Sequence, residues 1–115
     1  MMTAREAGAI ERIASGTPDS PEALDPHELA EARVALFERT DALRKPERFE
    51  QLLQTIAVLR GTFPWPAADR LCHARDVAAG IDAGRIAADG PKATIRERIH
   101  AARVAAVSRD ARRKR

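Results

Sequence analysis

Four prolines, at positions 26, 46, 66 and 91, divide the chain into stretches whose apolar residues recur at helical spacing. Each stands where a helix would begin. Proline has no backbone N–H and a φ already fixed near the helical value, so a first helical turn accepts it while a helix interior or central strand does not. Asp25 is placed to cap the first of these helices ahead of Pro26, and Glu28 can close a capping box. That helix is expected over residues 26–43, with Leu29, Ala32, Leu36, Thr40 and Leu43 on one stripe and Phe37 beside it. Pro46 restricts Lys45 and turns the chain. A second helix then faces Phe49, Leu52, Leu53, Ile56 and Leu59 inward and stops at Gly61. Residues 63–66, FPWP, are too proline-rich for a helix and read as a packed loop. A third helix from Pro66 buries Leu71, Ala74, Ala78 and Ile81, and a short turn of helix follows near residues 82–88. The last helix opens at Gly90 and Pro91 and buries Ile95, Ile99, Ala102 and Ala106. The expected fold is all-α, a compact bundle of four to five short helices.

With aromatics at only 3% but hydrophobic residues at 44%, such a core must be built from Leu, Ile, Val and Ala. The expected organisation is an N-terminal extension and linker (1–24), a helical domain (25–108) and a basic tail (109–115). Within the extension, residues 2–14 can form an amphipathic helix on Ile10 and Ile13, and residues 15–24 are rich in Ser, Pro and Gly. One cysteine, Cys72, excludes an internal disulfide and fits a reducing compartment. No apolar run approaches the ~20 residues that span a bilayer, and the N-terminus lacks the apolar core of a signal peptide, so a cytoplasmic protein without a membrane partner is expected.

Charge is unevenly placed. Residues 1–90 carry 11 basic and 15 acidic side chains, a net of −4, whereas residues 91–115 carry 9 and 2, a net of +7. Lys92, Arg96, His100 and Arg103 are spaced to share one face of the last helix, and Arg109, Arg112, Arg113 and Lys114 continue beyond them. A row of cations on a rigid helix can track phosphates. It can equally be a solvated face whose charges suit the negative end of the helix dipole. Arg44, Lys45 and Arg48 form a second basic cluster around Pro46, which either touches a nucleic-acid backbone or has Arg44 and Arg48 paired with Asp41, Glu47 or Glu50. Cys72 and His73 lack the further ligands that zinc needs, so no metal site and no cofactor are expected.

Three blocks carry a resemblance: residues 35–49 (ALFERTDALRKPERF), 61–71 (GTFPWPAADRL) and 90–108 (GPKATIRERIHAARVAAVS). In order and spacing they resemble the C-terminal helical region of bacterial CCA-adding enzymes, the tRNA nucleotidyltransferases. The resemblance implies tRNA as partner, gripped by helical domains that hold the tRNA body. Nucleotidyl transfer needs paired metal-binding carboxylates, and the chain has no Asp-x-Asp, no Gly-Ser nucleotide loop and no His-Asp dipeptide. Where relatives have an acidic stretch, this chain reads TIAVLRG at residues 55–61. No catalysis by this chain alone is expected. An RNA-binding module is the leading expectation. The alternatives are an interaction or dimerisation module completing a separately encoded catalytic nucleotidyltransferase subunit, and a gene remnant without a role.

Overall fold

The computed structural model describes residues 4–15, 25–61 and 65–113, and among them all regular structure is helical. Six α-helices follow in order: α1 (Ala4–Ser15), α2 (Pro26–Arg39), α3 (Pro46–Arg60), α4 (Pro66–Ala79), α5 (Ala83–Ala88) and α6 (Ile95–Arg113). A 3-10 turn, Lys92–Thr94, leads into α6. The all-α bundle is the fold. Most of the expected linker, and the loop residues Phe63 and Pro64, lie outside the described residues.

Pro26, Pro46 and Pro66 each open a helix, as their fixed φ requires. Asp25 Oδ1 accepts the Glu28 backbone N–H at 2.8 Å, which satisfies one of the donors a helix start leaves free. Gly61 closes α3 in the left-handed region, at φ 66°. The helix expected over residues 26–43 stops earlier, at Arg39. Asp41 takes φ 60°, and the Ala42 N–H reaches back to Phe37 O at 2.9 Å. That is the six-to-one hydrogen bond of a Schellman ending, with aspartate where glycine is usual.

α6 is the central element, packed chiefly on α2 and then on α4, while α1 lies across α2 and α4. Arg33 makes the α1–α2 joint. Its side chain is buried, and Nε and Nη2 donate to the Ile13 and Ala14 carbonyls at 3.2 and 3.1 Å. These carbonyls belong to the last turn of α1, where a helix lacks its own donors. Burial, with Arg70 nearby, lowers the Arg33 pKa from its ordinary value. Ile10 and Ala14 carry α1 into the core, so this helix is an integral layer of the bundle.

Several faces are rotated from expectation. On α2 the fully buried residues are Ala30, Arg33, Val34, Leu36 and Phe37, while Leu29 and Ala32 are only half-buried. On α6 they are Val104, Val107 and Ser108; Ile95, Ile99, Ala102 and Ala106 are half-buried flanks. The valines carry more apolar surface than the alanines across the helix from them, and burying them stabilises more. On α3, Phe49, Leu53 and Ile56 are inside as expected, but Leu59 is 79% exposed and Ala57 takes its place. α4 keeps the expected Leu71, Ala74 and Ala78, with Ile81 half-buried.

The turn into α6 is organised by Arg98, whose Nη1 donates to Ile86 O at 2.6 Å and Nη2 to Pro91 O at 2.9 Å. A Cβ on Gly90 would lie 2.7 Å from that guanidinium. Gly90→Ala should therefore push Arg98 off these carbonyls and cost about 1 kcal/mol, the loss of charge-assisted bonds at a partly wet site. Urea unfolding of the variant reads this directly; an unchanged midpoint would mean that Arg98 does not hold the turn.

Candidate nucleic-acid interface

α6 presents cations on more than one side, and its neighbours determine which of them stay free. Lys92 and Arg96 are exposed and make no hydrogen bond or ion pair with the described residues. Arg109, further along, is likewise exposed and unpaired among them. His100 and Arg103 are different. These two residues flank the buried Val104–Val107 stripe of α6, i,i+4 and i,i+7 from it, and that places them against α2. His100 Nδ1 lies 2.6 Å from Glu38 Oε1, and Arg103 Nη1 donates to Glu38 Oε2 at 3.0 Å. The structure thus splits the expected row: Lys92, in the 3-10 turn, and Arg96 stay free, whereas His100 and Arg103 are held by the Glu38 carboxylate. Arg109 stands in α6 itself, and the backbone stays helical through Arg113. The side chains of Arg112 and Arg113, and all of Lys114, lie outside the described residues.

At the Pro46 corner, Arg44 folds onto Asp41, with Nε and Nη2 donating to Oδ2 at 3.0 and 2.6 Å. Both side chains are well exposed, so the pair is worth only a few tenths of a kcal/mol and yields readily to another anion. Lys45 is exposed beside it at the start of α3. Arg44 and Arg96 line the same groove of about 800 Å³ between α2 and α6, together with Glu38 and Arg103. A second groove of about 600 Å³ lies on the other side of that seam and carries His27, Glu31 and Arg109.

The Cys72–His73 pair holds no reactive arrangement. Burial pushes the thiol pKa up, and Glu50, Asp76 and Asp69 add to that against the opposing pull of Arg75. A thiol raised in this way is a poor nucleophile. His73 turns to α6, its Nε2 2.9 Å from Asp110 Oδ2. Among the described residues no three His, Cys, Asp or Glu side chains gather as a metal site would require. No described helix is long and apolar enough to cross a membrane.

Two structural cations, Arg33 and Arg75, escaped the sequence reading, which treated arginines as surface charge. Their sequence signal is weak, although both stand at helical spacing from buried apolar neighbours: Ala30 and Phe37 around Arg33, Leu71 and Ala78 around Arg75.

Comparison with known proteins finds curated relatives that share most of this chain. The chain is 54% identical over 87 residues to the multifunctional CCA protein of Cupriavidus metallidurans, 51% over 88 residues to that of Cupriavidus taiwanensis, and 48% over 87 residues to that of Burkholderia pseudomallei. Each match takes in 69% of this chain and 21% of the relative's length. The chain therefore spans about a fifth of the curated relatives it matches. No protein-family profile matches it, and no solved structure does. Over most of its length the chain is similar to the C-terminal helical region of the multifunctional CCA proteins, the bacterial CCA-adding enzymes.

Proposed function

We propose that this chain binds tRNA through α6 and contributes no nucleotidyl-transfer chemistry of its own. The observation that carries the reading is the set of unpaired, exposed cations along the last helical segment, Lys92, Arg96 and Arg109, in a chain similar to CCA proteins. Cations already paired within the protein gain little from a phosphate, whereas free ones release the polyanion's condensed counterions on contact. Arg44 and Lys45 extend the same surface at the α2–α3 corner, and Arg112, Arg113 and Lys114 follow in sequence and add positive charge to this end of the chain. The absence of an Asp-x-Asp pair from the 115 residues supports the noncatalytic part of the reading. Val58 and Leu59, 68% and 79% exposed, leave apolar surface open on α3. Two adjacent apolar side chains are ordinary on a folded surface and do not favour a protein-docking reading over this one.

Binding of labelled tRNA to the purified chain at several salt concentrations tests the proposal. A Lys92→Glu/Arg96→Glu variant should lose about two phosphate contacts, flattening the slope of log K against log salt by about 1.5 and lowering low-salt affinity at least tenfold. If the wild-type chain does not bind tRNA at low salt, the reading is wrong. If it binds and the double variant binds equally well, α6 is not the RNA surface.

A further inference from the structure

Glu38 occupies the last turn of α2, facing the middle of α6. Its two carboxylate oxygens are divided between two α6 side chains, Oε1 against His100 and Oε2 against Arg103. The three side chains remain partly wet, at 32% exposure for Glu38, 31% for His100 and 20% for Arg103. This cluster therefore sits at the rim of the 800 Å³ groove and is not a sealed core tie. Arg103 also has donor capacity that Glu38 does not use, since its Nε is buried without a partner. A singly charged anion presenting two oxygens to two donors is also the geometry that a phosphodiester offers to a basic helix.

We propose that Glu38 is an internal competitor for RNA phosphate, holding His100 and Arg103 of the cation row out of the interface. The inference rests on the tRNA-binding reading above and concerns how strongly that same surface binds. A phosphate approaching Arg103 must first displace Glu38. One charge-assisted pair is then exchanged for another, with no net gain of contacts and a carboxylate left beside the RNA. Lys92, Arg96 and Arg109 meet no such competitor among the described residues. Glu38 is thus a determinant of affinity placed within the basic surface, and its removal should convert Arg103 from an occupied cation to a free one.

The test compares labelled tRNA binding by the full chain in three forms across a salt series: wild type, Glu38→Gln and Asp69→Asn. Asp69 is an exposed carboxylate on α4, so its variant makes the same change in net charge without touching the α2–α6 seam. Glu38→Gln should bind about five- to tenfold more tightly at low salt, with the log–log slope steeper by about one contact, while Asp69→Asn should change affinity less than about twofold. A Glu38→Gln/Arg103→Gln chain separates this from a loosened seam: the gain must vanish in it, and a gain that persists overturns the assignment. Equal effects of Glu38→Gln and Asp69→Asn overturn it as well. So does a Glu38→Gln chain that keeps its helical circular dichroism yet binds no more tightly than a binding wild type. If neither wild type nor Glu38→Gln binds tRNA at low salt, the RNA reading fails and the inference falls with it.

Discussion

Phe37→Ala should be the most damaging single change in the bundle, lowering stability by about 4 kcal/mol and the melting temperature by roughly 15 °C. Phe37 is fully buried on α2, and its ring meets Phe49 of α3 edge-to-face, with centroids 5.7 Å apart and planes at 89°. Truncation removes the transfer free energy of a phenyl ring, leaves a cavity, and forfeits an aromatic contact worth about 1 kcal/mol. A domain of this size has roughly 5–15 kcal/mol in all, so the variant stands near the unfolding threshold at 37 °C. Phe37 also spans the corner that presents Arg44 and Lys45, and the same change should loosen the placement of that basic pair. Thermal melting followed by circular dichroism measures the first effect. A double-mutant cycle with Phe37→Leu and Phe49→Leu isolates the ring contact, expected at about 1 kcal/mol. A loss below about 1.5 kcal/mol in Phe37→Ala would show that α2 and α3 close over the gap, because large costs require a site that cannot collapse.

What the sequence allowed one to read, and what it hid, divide by the range of the interactions involved. The starts of α2, α3 and α4 were legible because proline and an Asp25 cap act within one turn. So was the glycine end of α3. The start of the last helix was not: Pro91, expected to open it, leads into a 3-10 turn, and α6 begins only at Ile95. Nor was the early stop of α2, since nothing in the local pattern distinguishes an aspartate that will adopt φ 60° from one that continues the helix. The facing of α6 was hidden by its composition: alanines and valines surround the helix, and periodicity alone cannot choose between the Ala102–Ala106 side and the Val104–Val107 side. That choice also decided the candidate site. His100 and Arg103 share helical spacing with Lys92 and Arg96, but their partner Glu38 lies 62 and 65 residues away in sequence. The cation row was legible; which of its members are already occupied was not.

Arg75→Met should cost about 2 kcal/mol, the next largest effect, because Arg75 is the polar tie between α4 and the first turn of α3. Its side chain is only 6% exposed. Nη1 donates to Pro46 O at 3.2 Å, Nη2 to Glu50 Oε1 at 3.1 Å, and Nε and Nη2 to Asp76 Oδ1 at 3.1 and 2.7 Å. Burial lowers the guanidinium pKa, but the bonds to Asp76 and Glu50 outweigh it, and the net shift is upward. The cost stays below that of breaking a sealed ion pair, about 3–5 kcal/mol, because Glu50 and Asp76 are 48% and 67% exposed and can return to water. Methionine keeps most of the aliphatic stem, so the loss measures hydrogen bonding and charge, not volume. Arg75→Lys should be nearly as damaging, since one ammonium cannot hold acceptors spread around a planar fork. Urea unfolding of the two variants decides the matter. If Arg75→Met matches or exceeds wild-type stability, the tie contributes nothing beyond its packing, and α3 is held to the bundle by Phe49 and its apolar neighbours alone. If Arg75→Met falls and Arg75→Lys does not, a single positive charge near Glu50 suffices. The expected result, a loss in both, would make the arginine fork the element that fixes the start of α3, and with it Lys45 and the basic corner.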